Sequence, residues 1–343
     1  MNTTEMNQAP LLCRYAESLF WMARYLERAE NLARILDVTQ SFESPMNPGQ
    51  AWDSVVAINA DGERFRKLHG LDKTDLPSPE NVKRFYVLDP GNPTGIRFSI
   101  DAAKQNARTL RPVISTEMWQ HINVFHAEMA ALTGADIFGD RFSRLCAKIK
   151  ENVQQSVGIT EGTYYRDQGW YFLSLGRLVE RADATTRLLD IKYHLLLPQV
   201  SDVGSALDLS QWHAVLRAAA GYHAYRRTHT ARLTPKSVAQ FLLFDASFPR
   251  SVLLCVRQAE WFTGQLQARF GLRAGQDAAE RLEELRAGIE ERTVDQVVDA
   301  GLHEFLDWVQ RQLIAATAAL ADGFFHPALP GAAEGQGQGQ SQG

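Results

Sequence analysis

The sequence predicts an all-α fold, a helical bundle built from two pseudo-equivalent duplicated halves. Three observations lead to this prediction. Apolar residues recur at helical spacing in almost every segment, with capping residues, prolines and glycines between the segments. No convincing run of alternating apolar and polar residues indicates a strand. A charged helical motif occurs twice, with Arg24 matched by Arg177.

The first half is predicted to contain six helices, each bounded by start and stop signals. The first helix ends before the prolines and glycine of residues 44–49. Asn92 is predicted to cap the fourth helix, with Pro93 in its first turn. Residues 158–162 are predicted to turn the chain toward the second charged helix. The predicted helices are 12–38, 52–69, 81–88, 92–111, 115–131 and 141–157.

The second half is predicted to begin at Thr163 and to carry the second charged helix. Ser210 and Thr234 are predicted helix caps, and Pro235 follows the latter. The helices predicted after the charged one are 211–229, 236–244, 249–270, 278–289 and 294–325. The predicted organisation is an N-terminal extension at 1–10, a first half at 11–162, a second half with C-terminal helices at 163–328, and a disordered Gly/Gln-rich tail at 329–343.

The repeat is carried by charges as well as by apolar residues. The segment from Arg24 reads R-x-x-E-R-A-E-x-x-x-R-x-L-D, and the segment from Arg177 reads R-x-x-E-R-A-D-x-x-x-R-x-L-D. Further matched positions, in the same order, include Trp52 with Trp212, Ala60 with Ala220, and Pro93 with Pro249. The three offsets, 153, 160 and 156, differ as loop insertions require. The period is far longer than that of a solenoid, so the pattern indicates a duplicated domain.

Composition and charge exclude several classes of protein. The net charge of −4 offers no basic excess to attract nucleic acid or an anionic membrane. No apolar run approaches the ~20 residues of a membrane span. The first ten residues lack the charged-then-apolar order of a signal peptide. Three widely spaced cysteines suit reduced thiols better than a disulfide framework, so a cytoplasmic protein is expected.

The sequence lacks the common motifs of catalytic and cofactor sites. Neither the phosphate-binding loop G-x-x-x-x-G-K-[ST] nor the dinucleotide loop G-x-G-x-x-G is present. There is no H-E-x-x-H, and the histidine spacings do not suit two metal ligands on one helix face. No G-x-S-x-G supports nucleophilic catalysis. The sequence therefore predicts no cofactor and no metal site.

The two motif helices place like charges next to each other. Arg24 and Arg28 are four residues apart on one helix face, and Arg177 and Arg181 repeat this spacing. Like charges at that spacing are mildly destabilising and need an external counter-charge. We therefore expect the two helices to lie adjacent, with carboxylates of one half in salt-bridge reach of arginines of the other. The candidate residues for this interhalf network or ligand site are Glu17, Arg24, Glu27, Arg28, Arg177, Glu180, Arg181 and Asp183.

Three interpretations of these residues are open at the level of sequence. The first is a solvated face with local pairs such as Glu30 with Arg34. The second is a structural network in which Glu27 and Glu180 pair with arginines across the two halves. The third is a binding or catalytic site. In that site, forked hydrogen bonds would hold a phosphate or carboxylate. The arginines available for it are Arg24, Arg28, Arg177 and Arg181.

Several segments resemble one known family. Residues 12–31, with the sequence L-C-R-Y-A-E-S-L-F-W-M-A-R-Y-L-E-R-A-E-N, resemble the opening of the bacterial alpha-E family. Residues 161–183 resemble its second motif, and F-L-L-F-D with F-P-R-S at 241–251 resembles a third. Asn106-Ala107-Arg108 with Glu117-Met118-Trp119 resembles a fourth. The resemblance extends over about residues 11–320 and implies an all-helical domain named for its Glu-Arg motif.

The resemblance also implies a setting for the protein. Members of the family are typically encoded beside, or fused to, circularly permuted ATP-grasp ligases and transglutaminase-like proteins, and proteasome-like peptidases appear nearby. It thus implies an accessory protein that acts with an ATP-grasp peptide ligase, on a possible peptide substrate. The alternative is an enzyme in its own right that uses the Glu/Arg clusters on an amide or phosphorylated substrate. The resemblance assigns no catalytic residue.

Overall fold

The computed structural model describes residues 11–43, 49–72, 75–195, 206–229, 231–272 and 275–326. Within these ranges the regular elements are helices and no strand occurs, which confirms the all-α prediction. The helices are α1 (Cys13–Phe42), α2 (Gln50–Ile58), α3 (Gly62–His69), α4 (Pro79–Lys83), α5 (Ile96–Thr109), α6 (Thr116–Ala130), α7 (Gly139–Thr163), α8 (Gln168–Leu195), α9 (Ala206–Ala218), α10 (Tyr222–Thr228), α11 (Pro235–Phe244), α12 (Val252–Phe270), α13 (Gln276–Glu290), α14 (Val294–Ala300) and α15 (Leu302–Leu320). The predicted extension at 1–10, the stop signals at 44–48 and the predicted tail at 329–343 lie outside the described residues.

Hydroxyl side chains begin several of these helices. Thr234 accepts a hydrogen bond from the backbone N–H of Ser237, and Pro235 occupies the first turn of α11, as predicted. Ser115 caps α6 in the same way. The helix predicted from 249 instead begins at Val252, because Ser251 supplies its cap. Each cap satisfies a backbone N–H that has no partner within its helix.

Three long helices of the sequence prediction are divided. The predicted helix 294–325 contains α14 and α15, which Gly301 separates with a φ angle of 112°. The other two are divided at matched positions. The predicted helix 52–69 is α2 followed by α3, and the predicted helix 211–229 falls within α9 and α10. Ala60 and Ala220 separate these pairs, with left-handed φ angles of 56° and 54°. A residue with positive φ cannot continue a right-handed helix, so the chain turns at both positions.

Three further predictions about helix ends were wrong. Asn92 does not cap a helix, because α5 begins only at Ile96. The buried Asn92 side chain instead donates to the carbonyl oxygen of Phe85 and accepts from the N–H of Thr94. Residues 158–162 do not form a turn, because α7 continues through both of their glycines. Ser210 lies inside α9. Side-chain hydrogen bonding and tertiary packing override the local signals at these positions.

The turns after α2 and α9 use the same hydrogen bonds at matched positions. The N–H of Asp61 donates to the carbonyl oxygen of Val56 at 3.0 Å, and that of Gly221 donates to Leu216 at 2.7 Å. Both donors and both acceptors are 160 positions apart, which is the offset of the sequence alignment in this region. The local agreement favours a duplication. The superposition of whole halves stays a prediction.

The motif helices α1 and α8 form the centre of the bundle. They pack along each other, while α5 and α7 cover α1, and α12 and α15 cover α8. Their contact is close because residue 176 is glycine: a Cβ atom there would lie 2.2 Å from the carbonyl oxygen of Phe20. Apolar side chains such as Leu19 and Leu175 are fully buried around this contact. The crossing therefore brings the charged faces of α1 and α8 together inside the protein.

Candidate functional site

Glu180 of α8 is held by two arginines of α1. Arg28 donates from Nε to one carboxylate oxygen at 2.6 Å and from Nη2 to the other at 3.0 Å. Arg24 adds a third hydrogen bond from Nε at 2.8 Å. Two aromatic rings flank these guanidinium groups, since Arg24 lies over Trp21 at 4.8 Å and Arg28 lies over Tyr25 at 5.4 Å. Glu180 is 5% exposed, so its charge is neutralised within the protein.

Glu27 of α1 is held in the reverse direction. Arg181 of α8 donates to it from Nε at 2.8 Å and from Nη2 at 2.9 Å, in the same forked geometry. Its second arginine is Arg250, whose Nη1 lies 3.0 Å from the carboxylate. Glu27 is 1% exposed. Each motif helix thus supplies a buried carboxylate to the forked arginine of the other helix, which is a strong and geometrically specific arrangement.

Arg250 joins the Glu27 pair to a second ion pair. Its Nη2 donates to Glu30 at 2.7 Å and its Nη1 also donates to Asn31 at 2.9 Å. Arg34 donates to Glu30 at 2.5 Å, so the local pair considered in the sequence exists, but it is buried rather than solvated. The sequence analysis missed Arg250 and the burial of Glu30. Arg250 precedes α12 and is distant in sequence, so helical spacing gives no signal for it.

A second exchange of hydrogen bonds follows the same pattern. Arg34 of α1 donates to the carbonyl oxygen of Ala218 at 3.0 Å, and Arg187 of α8 donates to that of Ile58. Arg34 and Arg187 are matched by the motif alignment, and Ile58 and Ala218 are matched by the offset of 160. Arginines of α1 and α8 therefore bond to the helices α9 and α2 as well as to the carboxylates of the opposite motif helix.

Three of the candidate residues make contacts outside the exchanged pairs. Glu17 is 36% exposed and lies 3.6 Å from the Nε2 of His326. Arg177 pairs with Glu161 at 3.3 Å. Asp183 accepts from Arg187 one turn along α8, at 2.7 Å. The network that spans α1 and α8 is formed by Arg24, Glu27, Arg28, Glu180 and Arg181, with Arg250 added.

The arginines keep both motif glutamates ionised. Burial alone would favour the neutral acid, but Arg181 and Arg250 outweigh it and lower the pKa of Glu27 to about 2. Arg28 and Arg24 likewise overcome burial and lower the pKa of Glu180 to about 2. Carboxylates with such low pKa values are poor proton acceptors at neutral pH, so neither is suited to general base catalysis.

These pKa values predict how stability depends on pH. Both glutamates titrate at a lower pH in the folded protein than their ordinary value of 4.5, so the unfolded chain takes up protons first. Their contribution is complete above pH 4.5 and should be lost as the pH falls toward 2. Urea unfolding followed by circular dichroism across this range measures it. Glu180→Gln should show a shallower loss, and an unchanged slope would contradict the assignment.

A pocket of about 500 Å³ lies beside these pairs, between α1, α8 and α15. Arg24 and Arg28 line it, whereas Arg177 lines a different, mainly apolar pocket with Glu27, and Arg181 donates to Glu27. In the described part of the chain, the four arginines therefore do not line the same one of these pockets, as the enzyme alternative would require. The first pocket carries Arg187 in addition. We call it the α1/α15 pocket.

Two other kinds of feature, a metal site and a membrane-spanning helix, are absent from the described residues. Across these ranges, no group of three or more His, Cys, Asp or Glu residues is arranged to hold a metal ion. The helices that the structure describes include none long and apolar enough to cross a membrane. Cys146 and Cys255 are buried and Cys13 is exposed, and all three are free thiols.

Comparisons with known proteins agree with the motif geometry. Residues 11–325 match the Alpha-E family, described as a predicted alpha-helical domain with a conserved ER motif. Uncharacterized proteins of Mycobacterium bovis and Mycobacterium tuberculosis strain CDC 1551 are each 25% identical over 256 residues. The alignment covers 70% of this chain but only 28% of each relative. No solved structure matches. The family match extends over nearly the whole chain, and the chain belongs to the Alpha-E family.

Proposed function

We propose that this protein is an accessory helical protein that binds an ATP-grasp peptide ligase and acts with it in the synthesis or modification of peptides. Transglutaminase-like or peptidase proteins would act in the same system. The family resemblance supplies the class of partner. The observation that carries the accessory role is the saturation of the Glu-Arg motif: both glutamates are buried and hydrogen-bonded to arginines.

The saturated motif supports a structural role more than a catalytic one. Glu27 and Glu180 each accept at least three hydrogen bonds from arginine, and their lowered pKa values keep them from exchanging protons near neutral pH. Phosphoryl transfer requires backbone amides around phosphates and carboxylates that hold magnesium, and neither motif is visible in the sequence. A rigid helical surface that positions another protein fits these properties.

The size of the mycobacterial relatives also favours a protein that works with others. The region similar to this chain makes up 28% of each relative, so it occurs there as part of a much longer chain. A module that can be part of a longer chain commonly acts beside a second domain. The proposed second component is an ATP-grasp ligase.

Purified protein should neither bind nor hydrolyse ATP, and should form a complex with an ATP-grasp ligase from the same organism. Size-exclusion chromatography and calorimetry at micromolar concentration measure the complex. Incubation with ATP, magnesium and candidate peptides measures turnover by the chain alone. Absence of a complex at this concentration would contradict the proposal.

The enzyme alternative rests on the α1/α15 pocket, which is large enough for a substrate. It predicts turnover by the chain alone, and predicts that Glu180→Gln abolishes this turnover while circular dichroism shows an intact fold. Glu17→Gln is the matched control, because Glu17 lies on the same helix pair but is partly exposed and outside the exchanged pairs. Turnover with this pattern would replace the accessory role by a catalytic one.

A further inference from the structure

The α1/α15 pocket combines a charged wall with an apolar wall. Its volume of about 500 Å³ lies in the range of small-molecule sites, which is roughly 300–1,000 Å³. Arg24 and Arg28 lie on the α1 side and Arg187 on the α8 side, while Leu313 and Ile314 of α15 form the apolar side. Such a pocket can hold a ligand that has one polar end and one apolar end.

The charged wall has more hydrogen-bond donors than acceptors. Glu180 already accepts three hydrogen bonds, and Asp183 accepts two from Arg187. Arg24 uses only its Nε for Glu180, and its Nη1 and Nη2 make no hydrogen bond within the described part of the chain. Nη1 of Arg28 likewise makes no hydrogen bond within the described part of the chain. Three arginines face two carboxylates, so the wall carries an excess positive charge and is suited to an anion.

A difference between two aligned residues, Thr94 and Arg250, explains why the α1/α15 pocket is open. The two residues lie on opposite sides of the α1/α8 pair. Arg250 is 156 positions after Thr94, the offset that also aligns Pro93 with Pro249. The Arg250 guanidinium fills its side by bonding Glu27 and Glu30, and the remaining cavity there is about 10 Å³. Thr94 has a short side chain and lines the open pocket instead.

We propose that the α1/α15 pocket binds a small organic anion. Its carboxylate or phosphate group accepts hydrogen bonds from the free Nη groups of Arg24 and Arg28, and its apolar part packs on Leu313 and Ile314. The site is independent of the accessory role, because it depends only on the free donors, the open space and the apolar wall.

Three probes with the same apolar group test the ligand class. N-acetylleucine carries a carboxylate, isobutyl phosphate carries a phosphate, and N-acetylleucinamide is neutral. Calorimetry or NMR titration of the full chain should show saturable binding of at least one anion, with the amide binding at least about tenfold more weakly. The stronger of the two anions identifies the natural head group. Failure of both anions to saturate, or equal binding of the amide, would overturn the proposal.

Charge substitutions at the exposed rim test the location without disturbing the core. Ile314 is 64% exposed. Both Ile314→Lys and Ile314→Asp remove an apolar contact of the ligand, but the Lys variant should bind the anion more tightly than the Asp variant. This difference should shrink at high salt because exposed charges are screened. Val298→Asp is the matched control: Val298 is 46% exposed on α14 and is not part of the pocket lining. Equal affinities of the two Ile314 variants would place the anion elsewhere.

Two further substitutions test the interior of the pocket. Arg24→Gln removes the positive charge and both free Nη groups but leaves the forked Arg28–Glu180 pair, and should weaken anion binding by about tenfold or more. Thr94→Arg should block the pocket as Arg250 blocks its counterpart, with Thr94→Val as the control that leaves the space open. Unchanged affinity in a folded Arg24→Gln protein would rule out this arginine as the anion donor.

Discussion

Glu27→Gln is expected to destabilise the folded protein by about 3–5 kcal/mol, the usual cost of breaking a buried ion pair. The substitution keeps the shape of the side chain but removes its charge. Arg181 and Arg250 then remain largely buried without the carboxylate that both now bond. Chemical denaturation at neutral pH measures the loss as a lower midpoint with an unchanged slope.

Two variants separate this effect from a general intolerance of substitution. Glu17→Gln lies on the same helix but is partly exposed, and its effect should stay within about ±0.5 kcal/mol. Arg250→Met added to Glu27→Gln should cost less than the sum of the single changes, since it removes one of the two arginines that have lost the Glu27 carboxylate. Strict additivity in this cycle would show that Glu27 does not stabilise the protein through Arg250.

Gly176→Val is expected to destabilise the α1/α8 contact by about 1–3 kcal/mol or more, the range measured for overpacked cores. A Cβ atom at residue 176 would lie 2.2 Å from the carbonyl oxygen of Phe20. The atom it meets belongs to a helix backbone, which cannot rotate away as a side chain can. The two helices would therefore have to move apart, which would also lengthen the exchanged Glu-Arg pairs. Thermal unfolding measures the loss.

Gly158→Ala is the control for the glycine effect itself. Gly158 lies inside α7, and a Cβ atom there would meet nothing within 4 Å. Alanine should therefore stabilise the protein by up to about 1 kcal/mol through its higher helix propensity. If Gly176→Val were as harmless as this change, the close approach of α1 and α8 would have no energetic importance.

The helical fold and the central ion pairs were predictable for a physical reason. A charged motif repeated at constant spacing leaves like charges four residues apart, and these need partners from outside their own helix. Glu180 with Arg28 and Glu27 with Arg181 satisfy that need in both directions. Helical periodicity also gave the positions of most helices, because it depends only on residues close in sequence.

Sequence reasoning failed where distant contacts decide the structure. Arg250 reaches Glu27 from 223 positions away, and no local pattern reports such a contact. A signal did exist: arginine stands at 250 where its matched position has Thr94, directly after the matched prolines Pro93 and Pro249. Ala60 and Ala220 were missed as turn residues because alanine favours helices, and here the surrounding packing overrides that preference.

The exchanged carboxylates have a consequence for how the chain unfolds. If α1 separates from α8, Glu27 loses Arg181 and Glu180 loses both of its arginines in the same event. Neither helix can open alone without leaving charges unpaired, so the two should behave as one cooperative unit in hydrogen exchange. The border between residues 162 and 163 divides the sequence pattern. The two halves should nevertheless unfold together, because the Arg28–Glu180 and Glu27–Arg181 ion pairs join them in both directions.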